Sequence, residues 1–184
     1  MYNIDMNKNE AKNNWYVVTG PPCSGKTTLI EILEKKGYKI TPEAARVFID
    51  RCMTKGQTLE EIRKDNVSFQ KNILTIKLET EKNLDKDQIV FLDRGIPDTV
   101  AYTRFHKERV DDFLEDLVKK CGYKKIFLLN PLPYVADYAR NESKEEQDTL
   151  HKLLYFAYAD FGFDVVKVPV FDVEKRVQFV LDNL

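Results

Sequence analysis

The chain has 184 residues, of which 43% are hydrophobic and 32% are charged, a composition typical of one globular domain rather than of a disordered or fibrous protein. Lys and Arg total 29 and Asp and Glu total 30, so the net charge of −1 supplies no overall positive field for nucleic acid or an anionic membrane. Three cysteines without a CxxC pair and two histidines outside metal-ligand spacing exclude disulfide-stapled and zinc-finger classes.

The chain begins with a polar segment of mixed charge at residues 1–13. We expect this segment to be a loose N-terminal leader, because it lacks the apolar centre of a signal peptide. Residues 14–184 are expected to form a single domain, because no linker, repeat or low-complexity tract divides them. Apolar runs such as 89–92 are of strand length and too short to span a membrane. These features predict a cytoplasmic protein with no membrane or nucleic-acid partner.

Short apolar runs then alternate with longer helical patterns. The predicted strands are 15–19, 38–40, 88–93, 125–130 and 164–168, and most lack polar alternation. The predicted helices include one over 27–36, one that Thr41 caps with Pro42 at its first position, one long helix from Thr58, one from Ser143 and a last one from Val173. This alternation predicts a three-layer α/β domain with a largely parallel sheet.

A glycine-rich segment, GPPCSGKT from Gly20 to Thr27, matches the G-x-x-x-x-G-K-[ST] pattern between a strand and a helix. Glycines let backbone N–H groups turn towards a phosphate, and the helix N-terminus adds positive potential. We expect Lys26 on the β- and γ-phosphates and the Thr27 hydroxyl on Mg²⁺. Cys23 is either a small filler or a reactive thiol. The predicted nucleotide-binding residues are Gly20, Pro21, Pro22, Cys23, Ser24, Gly25, Lys26, Thr27 and Thr28.

A second acid follows the third predicted strand. The apolar run 89–92 leads into Asp93, an arrangement in which the carboxylate reaches Mg²⁺ directly or through water. Hydrolytic motors usually have a Glu next, whereas this chain has Arg94. An Arg at the ligand end of a parallel sheet suits a transferred phosphoryl group, although Arg94 and Gly95 could also form a turn with a solvated cation.

The helix after the second strand brings further candidates to the same sheet edge. Glu43 either complements the helix dipole or acts as a general base that accepts a proton from a substrate hydroxyl. One turn later, Arg46 would bind an anionic part of the substrate. In the long helix from Thr58, Phe69 and Gln70 can stack on and hydrogen-bond a flat ring, but such pairs are common on helices.

A proline-rich segment follows the fourth predicted strand. Its prolines exclude a simple continuation of the strand, so the region around 131–145 is predicted to be a lid over the site. Within it, Arg140 either reaches the phosphates during closure or is a solvated cation.

Several segments together resemble a known family, namely 19–28, 42–46, 69–70, 91–98, 127–133 and 168–176. They are similar to small single-domain P-loop proteins usually labelled AAA-domain ATPases, whose fold is similar to nucleoside and nucleotide kinases and to the ribosylnicotinamide kinase domain. The resemblance covers nearly the whole chain from Trp15. It implies a P-loop NTPase fold with a five-stranded parallel sheet of order 2-3-1-4-5, and it implies ATP and Mg²⁺ as cofactors.

The resemblance also implies roles for individual residues, by analogy with nucleoside kinases. Glu43 matches their base and Gln70 the residue that reads a nucleobase. Asp93 and Arg94 match their acid–arginine pair, and Arg140 a lid arginine. Those kinases have Glu-Pro where this chain has Pro-Glu, and their lids commonly hold several arginines.

The leading functional prediction is therefore an ATP- and Mg²⁺-dependent phosphotransferase acting on a small hydroxyl-bearing, nucleoside-like acceptor. The alternative is a slow ATPase or nucleotide switch that acts on a protein partner, and GTP in place of ATP stays open. A nucleotide-binding module without catalysis fits an intact Lys-Thr pair and a separate second acid less well.

Overall fold

Five parallel strands form the central sheet, in a computed structural model that describes residues 12–132 and 143–184. The strands are β1 (Trp15–Thr19), β2 (Lys39–Thr41), β3 (Val90–Asp93), β4 (Lys125–Leu129) and β5 (Val165–Val168). They lie in the order β2-β3-β1-β4-β5, and each pairing is parallel. The predicted α/β fold with a parallel sheet of order 2-3-1-4-5 is confirmed.

Helices follow the strands along the chain. Within the described ranges they are α1 (Lys26–Lys35), α2 (Ala44–Met53), α3 (Leu59–Arg63), α4 (Asn66–Lys82), α5 (Pro97–Phe105), α6 (Asp112–Lys120), α7 (Lys144–Ala159) and α8 (Val173–Asp182). The predicted capping boxes at Thr58 and Ser143 are both present. In this described part of the chain, no helix combines the length and the apolar character needed to cross a membrane.

Two predicted helix boundaries were wrong. Thr41 does not cap a helix, because it pairs with Leu92 as the last residue of β2, and Glu43 is the N-cap of α2 instead. The long helix expected from Thr58 is two helices, since α3 ends at Arg63 and Asp65 caps α4 by accepting a hydrogen bond from the Ser68 N–H. The break gives α4 an N-terminus and an N-cap of its own.

Both faces of the sheet are covered, which explains why its strands are apolar throughout. Alternate residues of β1 point to opposite faces. Val17 packs in a core cluster with residues of α4, α5, α6 and α7. Tyr16 and Val18 pack in a second cluster with residues of α1 and α8. Because the strands are parallel, the carboxyl ends of β1, β2 and β3 lie at the same edge of the sheet. The loops to α1, α2 and α5 begin at this edge.

Candidate functional site

The phosphate loop, defined here as Gly20–Thr27, leaves the carboxyl end of β1 and leads into α1. A Cβ at Gly20 would lie 2.8 Å from Ser24 Oγ and 2.9 Å from the Leu129 carbonyl oxygen, so only glycine fits there. Gly25 is the N-cap of α1 with a φ of 81°, a left-handed conformation that glycine adopts without strain. The loop thus places the free backbone N–H groups of a helix N-terminus at the sheet edge.

Lys26 folds back into this loop. Its Nζ donates to the carbonyl oxygens of Gly20 and Pro21, both at 2.9 Å, and the side chain is only 8% exposed. Burial, followed by the nearby Arg94 cation, lowers the pKa of Lys26 to about 7. A cation held only by neutral acceptors gains when an anion lies beside it, and this arrangement therefore suits a phosphate group.

Arg94 lies at the centre of the site, directly after β3. Its Nε donates to Glu43 Oε1 at 2.9 Å, and its Nη1 donates to Asp98 Oδ1 at 3.0 Å and to the Gly20 carbonyl at 3.1 Å. The guanidinium also lies over the ring of Tyr102, 5.4 Å from the ring centroid. Arg94 is buried, so it is not a solvated cation in a turn. It connects the phosphate loop with the start of α2.

Glu43 serves neither as a side-chain cap nor as an isolated carboxylate. It occupies the N-cap position of α2, but its side chain makes no capping hydrogen bond and pairs with Arg94 instead. Burial raises the pKa of Glu43, but the charge and hydrogen bond of Arg94, together with the charges of Lys26 and Arg46, outweigh burial and lower the pKa. Glu43 is therefore ionised at neutral pH, the state that can accept a proton.

Asp93 has the features of a cation ligand. Its Oδ1 is buried and has no hydrogen-bond partner in the described ranges. Burial raises the pKa of Asp93 to about 6. Thr27, in the first turn of α1, lines the same cleft. A carboxylate oxygen and a hydroxyl fit Mg²⁺, which takes oxygen ligands and keeps several from water and substrate phosphates. Among the described residues, no group of three or more His, Cys, Asp or Glu could hold a metal ion.

A cleft of about 780 Å³ runs from the phosphate loop to α4 and α5, which is enough for a nucleotide-sized ligand. Gln70 lines its far end and is only 8% exposed, and none of the described residues hydrogen-bonds to its side-chain amide. The amide atoms of Gln70 remain accessible from the cleft, where they can hydrogen-bond a ligand. Around it the cleft is lined by Arg46, Arg63, Asn66, Phe69, Tyr102 and Phe105.

A family comparison identifies the class of protein that carries this site. Residues 15–176 match the model of the AAA_28 family, described as an AAA domain. The chain belongs to this AAA-domain family. No protein of curated function matches it.

Solved structures show which fold this AAA domain shares. NadR in complex with NR has a TM-score of 0.68 and 19% identity, over 93% of this chain and 50% of NadR. Thymidylate kinase from Ehrlichia chaffeensis has a TM-score of 0.62 and 18% identity, over 94% and 98% of the two chains. Deoxyadenosine kinase from M. mycoides has a TM-score of 0.61 and 17% identity, over 92% and 97%. The AAA domain thus has the fold of P-loop kinases, and it spans about half the length of NadR.

Most of the predicted site residues of the AAA domain meet at the cleft, namely Pro22, Cys23, Lys26, Thr27, Glu43, Arg46, Gln70, Asp93 and Arg94. The remaining predicted loop residues, Gly20, Pro21, Ser24, Gly25 and Thr28, complete the phosphate loop and the first turn of α1. The predicted Arg140, with residues 133–142 of the predicted lid, lies outside the described residues, as do residues 1–11 of the predicted leader.

Four buried polar residues that complete the site of the AAA domain were missed from the sequence. They are Lys77, Asp98, Tyr158 and Arg176. Two carried a signal: Asp98 follows Arg94 at i+4, and Lys77 follows Gln70 by two helical turns and so shares its face of α4. Tyr158 and Arg176 carried none, because each lies next to the apolar residues that define the buried face of its helix.

Proposed function

We propose that this AAA-domain protein is an ATP- and Mg²⁺-dependent phosphotransferase that acts on a small hydroxyl-bearing, nucleoside-like acceptor. The observation that carries the proposal is the cleft, which continues from the phosphate loop to the side-chain amide of Gln70, a group that none of the described residues hydrogen-bonds. Hydrolysis needs only a water molecule beside the nucleotide. The cleft also extends to a second region that is lined by a polar side chain able to bind an acceptor. This extension favours transfer of the phosphoryl group to an acceptor.

On the nucleotide side, Lys26 and the backbone N–H groups of the phosphate loop hold the β- and γ-phosphates. Thr27 and Asp93 would hold Mg²⁺, which when bound neutralises charge on the phosphates. Arg94 stabilises the negative charge of the transferring group from the opposite side, and Arg140 of the predicted lid would do the same. Positioning and charge stabilisation carry most of the catalysis in such reactions.

On the acceptor side, Gln70 hydrogen-bonds the edge of a flat ring, and Phe69 packs near its face. Glu43 accepts the proton of the attacking hydroxyl, which its ionised state allows. Arg46, exposed at the start of α2 and lining the same cleft, binds an anionic part of the acceptor. The acceptor panel for any test must therefore include phosphorylated as well as neutral compounds.

The test is a transfer assay with γ-labelled ATP and Mg²⁺ against nucleosides, nucleotides and pyridine ribosides, with GTP as a second donor. Labelled product is separated from free phosphate, and Lys26→Ala serves as the inactive control. We expect label on one class of acceptor, absent in the variant. Slow release of free phosphate, at the same rate with every acceptor and without labelled product, would overturn the proposal. It would favour a slow ATPase or a nucleotide switch with a protein partner.

A further inference from the structure

The turn that carries Arg94, residues 94–96, adopts a conformation that its surroundings must maintain. Arg94 has a φ of 67°, in the left-handed region that costs a non-glycine residue about 1 kcal/mol or more. The next N–H group, that of Gly95, donates to Asp98 Oδ2 and to the Tyr158 hydroxyl, both at 3.1 Å. A Cβ at Gly95 would lie 2.9 Å from the same Tyr158 hydroxyl. The turn is therefore held tightly from the sides of α5 and α7.

Lys77 holds the same turn from the side of α4. Its Nζ donates to the Gly95 carbonyl at 2.6 Å and to Thr99 Oγ1 at 3.4 Å. The side chain is 6% exposed and forms no salt bridge within the described ranges. Burial lowers the pKa of Lys77, as expected of an ammonium group with neutral acceptors. Lys77 thus binds the carbonyl group and Asp98 the N–H group of Gly95, the residue that follows Arg94.

The cost of burying this ammonium group suggests that it has a use beyond packing. Lys77 lies among the buried apolar residues Ile73, Leu74 and Ile76 of α4, where a methionine would fill the position without desolvating a charge. What methionine would not do is bind the Gly95 carbonyl. Gly95 directly follows Arg94, so fixing the Gly95 carbonyl holds the turn from which the Arg94 side chain extends.

We propose that Lys77 is a positioning residue, which holds the Gly95 carbonyl so that Arg94 spans from Glu43 to the phosphate loop. The inference rests on the proposed function, because Arg94 is the group through which Lys77 acts on phosphoryl transfer. A displacement of about 1 Å in a group that stabilises the transition state can cost on the order of 100-fold in rate. Within the described part of the chain, the hydrogen bonds of Lys77 go to Gly95 and Thr99 and not to the phosphate loop, so nucleotide binding should change little when it is replaced.

Lys77→Met, of nearly equal length, is the first test, with Lys71→Met on the exposed side of α4 as the matched control. We expect Lys77→Met to lower kcat by about 10- to 100-fold while KM for ATP changes less than about threefold, and Lys71→Met to change neither. If Lys77→Met does not fold, Lys77→Gln is measured in the same way. An equal loss in the exposed control would overturn the inference.

A double-mutant cycle separates positioning through Arg94 from general damage. In the background of Arg94→Gln, Lys77→Met should lower kcat no further, because the group that it positions is gone. Additive losses in kcat would overturn the inference. Faster hydrogen exchange at the Gly95 and Ile96 amides of Lys77→Met, with Lys71→Met unchanged, is the expected structural readout.

The proposed function and this inference fail in different ways. A wild-type protein that transfers phosphate to an acceptor, together with an equally active Lys77→Met, overturns the inference alone. A wild-type protein that transfers phosphate to no acceptor overturns the proposed function and the inference with it.

Discussion

In the proposed phosphotransferase, Lys26 and Glu43 would contribute to phosphoryl transfer in two different ways, which single substitutions can compare. Lys26 is buried in the phosphate loop, where a cation stabilises charge that develops in the transition state. We expect Lys26→Ala to lower kcat/KM by about 10³-fold or more. Glu43 would accept the proton of the acceptor and also pairs with Arg94, which makes it a weak base, so we expect Glu43→Gln to cost about 100-fold.

The comparison uses the labelled-transfer assay under identical conditions for both variants. Lys35→Ala, at the exposed end of the same helix α1, is the control and should behave as wild type. Equal tolerance of the Lys26 and Glu43 substitutions would contradict the assignment.

Gln70 allows a prediction in which function and stability move in different directions. Most of its side chain is buried and its amide has no hydrogen-bond partner among the described residues, so Gln70→Leu removes no hydrogen bond of the fold. The free energy of unfolding should stay the same or rise. At the same time kcat/KM for the acceptor should fall by about 10-fold or more, because a hydrogen bond to the acceptor is lost. KM for ATP should not change.

Urea denaturation and acceptor kinetics measure the two effects of Gln70→Leu. The exposed Gln57→Leu, outside the cleft, should leave acceptor kinetics unchanged. A loss of stability in Gln70→Leu without a change in acceptor kinetics would show that the amide serves the fold and not a ligand.

At the scale of whole elements, one side chain of α8 connects three segments around the nucleotide site. Arg176 is 3% exposed, and its Nη1 donates to the Ser24 carbonyl at 2.7 Å. Its Nη2 donates to the Asn130 carbonyl at 2.9 Å and its Nε to the Pro169 carbonyl at 3.1 Å. The phosphate loop, the end of β4 and the segment after β5 are thereby joined through one guanidinium.

Arg176→Met should therefore weaken both the fold and nucleotide binding. Each buried carbonyl group left without its donor costs about 1–3 kcal/mol in the free energy of unfolding, and a looser phosphate loop raises KM for ATP. Lys175→Met, one residue away and exposed, should change neither quantity. Chemical denaturation and ATP titration measure the two effects, and an unchanged KM with lower stability would limit Arg176 to a structural role.

At the scale of the whole molecule, Glu81 should make the stability of the protein depend on pH. Tyr123 Oη donates to Glu81 Oε1 at 2.6 Å, and burial raises the pKa of Glu81 to about 7. Between about pH 4.5 and 7 the unfolded chain ionises this group while the folded protein keeps it protonated. Rising pH therefore removes stability through this interval, and above pH 7 the loss is complete.

Glu81→Gln keeps the acceptor for Tyr123 but cannot ionise, so it removes this loss. Relative to wild type, the variant should gain stability as pH rises from about 4.5 to 7, by a few kcal/mol in total, and the gain should then level off. Glu79→Gln, exposed on the same helix, is the control. Thermal denaturation at several pH values measures the difference, and a gain that is constant with pH would contradict the assignment.

The sequence alone determined the features that have local causes. The phosphate loop was predictable because its glycines, lysine and threonine are consecutive and because each residue type is required by the backbone at its own position. The strands were predictable from continuous apolar runs, and the capping boxes at Thr58 and Ser143 from a spacing of three residues. The order of the strands followed from resemblance to a family, since parallel strands with long connections carry little local information about their neighbours.

Only the tertiary structure decided which distant groups meet. Glu43 and Arg94 are 51 positions apart, and their pairing depends on β2 and β3 being neighbours in the sheet. Because of the same pairing of strands, Thr41 belongs to β2, and α2 begins at Ala44 with Glu43 as its N-cap. Whether an amide such as Gln70 is paired, or a lysine such as Lys77 is buried, depends on what other elements place beside it. Burial and hydrogen bonding are properties of the assembled layers, and these properties decide how each charge in this site behaves.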